Sequence, residues 1–272
     1  MGQQAINNKI CVIAGNGELP LLACKKAKEQ GYELYSVCFD KKNFLPIQMI
    51  CKAAVYYGPG EVEKILKFLQ QKQINQVMFI GKVPKSLYFK IHKIDARAVK
   101  VLKQMKRLND DAIMLAAIHE LEKENITVLE QTIFIKDYFA KKGIIAGEAP
   151  TQEQQIDIDY GFDIAKQMGK IDIGQTVVVH DKMILAVEAI EGTDAAIKRG
   201  CKFGKRKATV VKVSKPSQDQ RFDIPVIGEK TLTAMRKYGG KVLAIEADET
   251  LIINEQKVKL LAERYNITVI AI

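Results

Sequence analysis

The run Lys9 to Ala14 is almost wholly apolar and stops abruptly at Gly15-Asn16-Gly17. Pro20 follows where a helix would begin, Leu21 to Gly31 continues at helical spacing, and Tyr32 to Asp40 is again a strand-like run. Strand, glycine-rich turn, helix, strand is the opening of a doubly wound α/β domain, because parallel strands need a crossover helix between them. A dinucleotide fingerprint would place glycine at position 20; Pro20 stands there, which argues against NAD or FAD and hence against a dehydrogenase. The turn can still offer backbone N–H groups at a helix N-terminus to an anion. Asp40, ending the second strand, stands where a ribose hydroxyl is often held, or is an ordinary strand-end residue.

The pattern repeats. Ala53 to Tyr57 is a short strand, Glu61 to Lys72 an amphipathic helix with Val62, Ile65, Leu66 and Leu69 on one face, and Gln76 to Ile80 a buried strand ending at Gly81-Lys82. Ligands of parallel sheets gather at the carboxyl ends of strands, so Gly15, Asp40 and Lys82 fall on one rim. Lys82 reads there as a phosphate contact or as a solvated loop lysine. Ser86 to Lys106 reads as a lysine-rich helical excursion with one apolar face. Asn109-Asp110-Asp111 opens a helix that carries His119, a structural histidine with no partner motif. Ile126 to Leu129 closes the sheet.

A chain of 272 residues, 47% hydrophobic and 27% charged, has room for two such domains. No apolar run reaches membrane-spanning length, and the first nine residues lack the apolar core of a signal peptide. The five cysteines show no metal-binding spacing and read as free thiols of a reducing cytoplasm. The net charge of +10 is spread over scattered lysines with no nucleic-acid module; it fits attraction to anionic lipid or phosphorylated metabolites better than nucleic acid.

Residues 133–150 read as the connection between domains. Thr151 and Gln154 form a capping box for a helix reaching about Met168. Thr176 to Val179 and Ile184 to Ala189 read as a hairpin, and Val242 to Glu246 with Thr250 to Ile253 as a second. Between them lies Glu188-Ala189-Ile190-Glu191-Gly192-Thr193-Asp194, an acidic turn in which Thr193 or Asp194 caps the next helix. Three carboxylates there resist joint ionisation without a cation, although a cap with two solvated acids accounts for them as well. The fold expected is α/β: a Rossmann-like parallel-sheet domain (residues 1–132), a linker (133–150) and a mixed α/β C-terminal catalytic domain (151–272), with an interdomain cleft as the ligand site.

The densest chemistry lies in Lys215 to Gly228, after the β-branched strand Ala208 to Val213 and before a helix from Glu229. Lys215, Gln218, Asp219, Arg221 and Asp223 share one loop with Pro216 and Pro225. Carboxylates hold Mg²⁺ and cations hold phosphate oxygens, so the mixture suits a phosphate ester with a divalent metal; by spacing alone it reads first as a surface turn carrying ordinary solvated charges.

Lys215-Pro216-x-Gln218-Asp219-x-Arg221-x-Asp223-x-Pro225-x-Ile227-Gly228 resembles the signature loop of the bacterial UDP-2,3-diacylglucosamine pyrophosphatases of the lipid A pathway, in the form unrelated to the calcineurin-like enzymes. Gly15 to Leu21, Gly81-Lys82-Val83, Asp110-Asp111-Ala112, Asp172-Ile173-Gly174-Gln175 and Ala186 to Asp194 agree in order, from about Ile10 onward. Ser217 and Asn109 stand where that family more often has glycine.

The resemblance implies Mg²⁺-dependent hydrolysis of UDP-2,3-diacylglucosamine at the α-phosphorus, to UMP and 2,3-diacylglucosamine 1-phosphate. It places the critical aspartate at Asp223, as a metal ligand or the group that orients water, with Asp194 and Arg221 as further catalytic candidates. Asp219 and Glu191 join Asp223 as metal candidates; Lys215 and Gln218 join Gly15, Asn16, Gly17 and Lys82 as substrate contacts. The partners expected are the UDP-diacylglucosamine lipid, the inner face of the inner membrane in peripheral contact, and a second copy of the chain in a homodimer. The alternative is a non-catalytic nucleotide-sugar binding protein or sensor, which would use the glycine-rich rim and not the acidic loops.

Overall fold

A computed structural model of the chain describes residues 8–83, 94–105, 109–216 and 218–272. Part of the expected excursion from Ser86 to Lys106 lies outside the described residues; its described part contains the helix Ala96–Gln104. The chain divides into two compact units, Met1–Ile135 with Gln220–Phe222, and Lys136–Asp219 with Asp223–Ile272.

The first unit is built on a parallel sheet of β1 (Lys9–Ala14), β2 (Glu33–Cys38), β3 (Ala53–Tyr56), β4 (Gln76–Ile80) and β5 (Thr127–Leu129), ordered β3-β2-β1-β4-β5. Every pairing is parallel. Helices α1 (Leu19–Glu29), α2 (Lys41–Gln48) and α3 (Val62–Gln71) make the crossovers between the first four strands. Pro20 lies in the first turn of α1, where its missing N–H costs nothing. Leu66 and Leu69 on α3 and Ile118 and Leu121 further along cover Cys11, Ile13, Val37 and Val77 of the sheet. The strand order reverses between β1 and β4, the switch point at whose carboxyl end open α/β sheets bind ligands.

The second unit carries a six-stranded mixed sheet, ordered β6-β13-β11-β9-β7-β8, from β6 (Gly143–Ala146), β7 (Thr176–His180), β8 (Met183–Val187), β9 (Ala208–Lys212), β11 (Gly240–Ile245) and β13 (Thr268–Ala271). β9, β11 and β13 are parallel, whereas β6 and the β7–β8 hairpin are antiparallel at the two edges. Strand alternation sorts the core into two layers. Val177, Val179 and Val211 face Ile158 and Ala165 of the long helix Gln152–Lys170, while Val178, Val210 and Leu243 face Ile197, Leu232, Met235 and Leu261 from three helices on the other side. Gly161 lets the long helix sit low on the sheet: a Cβ there would lie 2.7 Å from a Val211 methyl. The predicted capping box of Thr151 and Gln154 is present, with Thr151 N–H donating to Gln154 Oε1 at 2.9 Å.

The α/β class, with a Rossmann-like first domain and a mixed second one, is as expected. Three local expectations change. The stretch 133–150 is more than a connection, because Gly143–Ala146 pairs with β13 as an edge strand. The second hairpin does not form. Val242 belongs to β11, a strand buried on both faces that pairs in parallel with β9 and β13, while β12 (Leu251–Ile252) pairs with β10 (Val226–Ile227) in a separate two-stranded sheet. Neither Thr193 nor Asp194 caps its helix (Thr193–Phe203): Gly192 does, at φ +83°, and the Thr193 hydroxyl is turned elsewhere.

Candidate functional site

In the first unit the two glycine motifs meet. Asn16 N–H donates to the Lys82 carbonyl at 2.7 Å and Lys82 N–H returns to the Asn16 carbonyl at 2.9 Å. Gly15 makes this approach possible, since a Cβ there would come within 2.6 Å of the Lys82 oxygen. Asn43 ties the turn from the other side, donating from Nδ2 to the Gly15 and Gly17 carbonyls at 2.7 and 2.9 Å. Gly15, Asn16, Gly17 and Lys82 therefore share the switch-point rim. The amides of Gly15 and Asn16 are taken up within the rim, so any anion held by backbone here falls to those that follow at the start of α1.

The second unit gathers a polar rim at the carboxyl ends of β9 and β11. Ser214 is clamped there: its N–H donates to Glu246 Oε2 at 2.7 Å, and its carbonyl accepts from Lys166 Nζ at 3.0 Å. Gln218 folds back onto the loop root, its Oε1 accepting from Ser214 Oγ at 2.7 Å and Lys215 N–H at 2.8 Å. That fixes the amide and leaves Gln218 Nε2 a buried donor with no partner among the described residues. Lys215 Nζ lies 2.8 Å from Asp172 Oδ1 and 3.4 Å from Asp223 Oδ2. Asp223 N–H donates to the Asp219 carbonyl at 3.0 Å, so these two aspartates bracket one turn.

Behind this rim lies a buried polar cluster. Thr193 Oγ1 donates to Glu188 Oε1 at 2.9 Å, and Lys212 Nζ, on a nearly inaccessible side chain, donates to the Val226 carbonyl at 3.1 Å and lies 3.4 Å from Thr193 Oγ1. Glu188 Oε2 and Gln175 Oε1 are buried acceptors with no hydrogen bond among the described residues. Gly174 fixes the neighbouring loop against Glu188, whose carbonyl oxygen would be 2.2 Å from an added Cβ.

Lys215, Gln218, Asp219 and Asp223 thus lie together on this loop. The remaining candidates sit elsewhere. Glu191 pairs with Arg199 at 2.7 Å, and backbone and guanidinium donors hold its carboxyl below the usual range. Asp194 is exposed in the first turn of its helix, where a carboxylate complements the helix dipole. Arg221 belongs to the first unit with Gln220 and Phe222: its Nη1 is 3.4 Å from Glu122 Oε1, the Gln220 carbonyl accepts from Gln131 N–H at 3.0 Å, and Phe222 packs on the first unit's core. Among the described residues no group of three or more His, Cys, Asp and Glu is placed to hold a metal. Asp223, Asp219 and Glu191 are accordingly not a ready-made cage. Asp223 nevertheless fits a cation: an ammonium already stands 3.4 Å from its carboxylate. Sequence reasoning gave no role to Asp172, Lys166, Glu246 or Lys212. Lys212 left a signal, a charge ending an otherwise buried β-branched strand.

Residues 9–138 match the LpxI N-terminal domain and residues 141–270 the LpxI C-terminal domain. The chain belongs to the LpxI family. A curated LpxI relative from Caulobacter vibrioides, named UDP-2,3-diacylglucosamine pyrophosphatase, is 29% identical over 97% of each chain. The expected membership and the expectation of an enzyme rather than a sensor are borne out by these matches. Among solved structures, N5-carboxyaminoimidazole synthetase from Staphylococcus aureus complexed with ADP is 18% identical, with a TM-score of 0.25 over 63% of this chain and 38% of that one. Glycinamide-RNase-transformylase T from Mycobacterium tuberculosis is 11% identical, with a TM-score of 0.26 over 67% and 44%. This chain spans less than half the length of either, and likeness at that level carries no argument about chemistry.

Proposed function

We propose that this LpxI-family chain hydrolyses UDP-2,3-diacylglucosamine in lipid A biosynthesis, water attacking the α-phosphorus to give UMP and 2,3-diacylglucosamine 1-phosphate. The substrate is taken from the relative that matches nearly end to end. The observation that carries the chemistry is the loop root in the second unit, where Lys215, Asp223 and Gln218 Nε2, a buried donor without a partner among the described residues, share one short turn. A buried amide donor and an ammonium suit the oxygens of a pyrophosphate, and their attraction grows as negative charge builds there in the transition state. Asp223 is the group we assign to orienting the attacking water. The switch-point rim of the first unit is of the kind that takes a nucleotide.

Magnesium would be held by Asp223 and by the substrate's own phosphate oxygens, where it would neutralise charge and acidify a bound water. Exposed isoleucines support a lipid substrate. Ile171 (66% exposed) and Ile173 (46%) flank Asp172, and Ile190 (83%) rises from the acidic turn. No helix among the described residues is long and apolar enough to cross a membrane. With the net charge of +10, this supports a cytoplasmic enzyme in peripheral contact with the anionic inner face of the inner membrane. Self-association as a homodimer completes the proposal.

The test is Asp223→Ala. The expected protein is folded and still binds UDP-2,3-diacylglucosamine, with turnover reduced about 100-fold or more, the scale of losing a general base or water-orienting group. Turnover within a few-fold of wild type would remove Asp223 from the chemistry.

A further inference from the structure

Resting on the hydrolase function proposed above, we propose that Asp172 is a positioning residue: it holds the Lys215 ammonium where it meets the pyrophosphate and keeps it from closing fully onto Asp223. Among the described residues two carboxylates share this ammonium, and Asp172 has the nearer hold, 2.8 Å against 3.4 Å for Asp223.

The chain is built to place that carboxylate. The helix Gln152–Lys170 ends beside the loop root, and Gly169 allows it: a Cβ there would be 3.2 Å from Pro216 Cδ and 3.3 Å from Lys215 Cα. Three residues later Asp172 adopts φ +56°, a left-handed conformation uncommon for a residue with a side chain. The turn is tied by Asp172 N–H to the Gly169 carbonyl and Ile173 N–H to the Met168 carbonyl, both 3.2 Å. The close approach of Gly174 to Glu188 and the hydrogen bond from Val213 N–H to the Gln175 carbonyl, 3.0 Å, pin its far end. The segment thus tied at both ends delivers one carboxylate to one ammonium.

Stability does not account for the arrangement. The Asp172 side chain is 44% exposed, and an ion pair with one partner so wet adds little to folding. Lys215 is different: its side chain is only 15% exposed, so its ammonium has few places to point. With the charge of Asp172 gone, Asp223 is left as its nearest anion among the described residues, and the ammonium is drawn onto the carboxylate assigned to the water. Asp172 thereby acts through Lys215 without touching the substrate.

The experiment is a double-mutant cycle of Asp172→Asn, Lys215→Met and both together, read by steady-state kinetics on UDP-2,3-diacylglucosamine and by calorimetric binding of inorganic pyrophosphate. Asp172→Asn is expected to lower kcat by about 10- to 100-fold, the range for a small misplacement of a catalytic group, with KM changed far less. In the Lys215→Met background the same substitution is expected to have no further effect on kcat or on pyrophosphate affinity, because its partner is already gone. Additive losses, a wild-type kcat in Asp172→Asn, or pyrophosphate binding indifferent to Lys215 would overturn the proposal. A wild-type protein that leaves UDP-2,3-diacylglucosamine intact fails the hydrolase function instead, and the pyrophosphate cycle then decides the role of Asp172 alone.

Discussion

Lys166 and Glu246 form an ion pair at 2.6 Å that brackets both backbone groups of Ser214, the lysine on its carbonyl and the carboxylate on its N–H. A helix and the end of a central strand are thereby joined at the root of the loop that carries Lys215, Gln218 and Asp223. Glu246→Ala leaves a partly buried ammonium and a backbone N–H without their acceptor. It is expected to destabilise the second unit by ~1–3 kcal/mol, the cost of stranding such groups, and to lower turnover with it. Denaturant unfolding alongside kinetics checks this; an unchanged stability would show that the clamp is incidental.

Gly174 has no room for a side chain, the Glu188 carbonyl oxygen lying 2.2 Å from where a Cβ would be. Gly174→Ala is expected to cost about 1–3 kcal/mol through forced backbone movement. Turnover should fall too, because the same loop presents Asp172. The comparison is with Gly17→Ala, where nothing lies within 4 Å of an added Cβ and only the φ of +106° resists.

Lys212 is buried beside Thr193 and the Val226 carbonyl. Lys212→Met keeps much of the volume and removes the donor. A loss of ~1–3 kcal/mol is expected in equilibrium unfolding, as the stranded carbonyl retains no partner for that lone pair. A neutral result would mean that water takes the ammonium's place.

Cys51 is the partly exposed cysteine, and its thiol is held below the ordinary value by a contact with the Cys24 thiol and by the Lys28 charge. Burial pushes the Cys201 thiol up to about 12. A lowered value means more thiolate at neutral pH, so iodoacetamide is expected to modify Cys51 first in the folded protein and all five cysteines after unfolding. Mass spectrometry of partly alkylated protein reads this directly, and uniform labelling would contradict it.

Much of the fold was legible because it is locally encoded. The apolar run of β1, its glycine turn and Pro20 predict the first crossover, and Thr151 with Gln154 predicts the start of the long helix. What misled was local as well. Two apolar runs around Asp248 look like a hairpin, yet the first is buried on both faces and has parallel partners from distant chain, whereas the second is two residues long in another sheet. The site divides in the same way. Lys215, Gln218 and Asp223 lie within one loop and could be read together. Asp172 is 43 residues from Lys215, and Glu246 is 32 from Ser214, separations that no periodicity encodes. Glu191 shows the converse: acidic spacing gave a metal candidate, but the Arg199 guanidinium, about two helical turns beyond the cap, claims it.

The most direct test of the central claim is hydrolysis of UDP-2,3-diacylglucosamine in ¹⁸O-labelled water, with Mg²⁺ and with a chelator. Turnover is expected only with the metal, and the label is expected in UMP, as attack at the α-phosphorus requires. Label in the sugar phosphate would contradict the site of attack, and a folded protein that releases no product with Mg²⁺ would contradict the proposed hydrolysis itself.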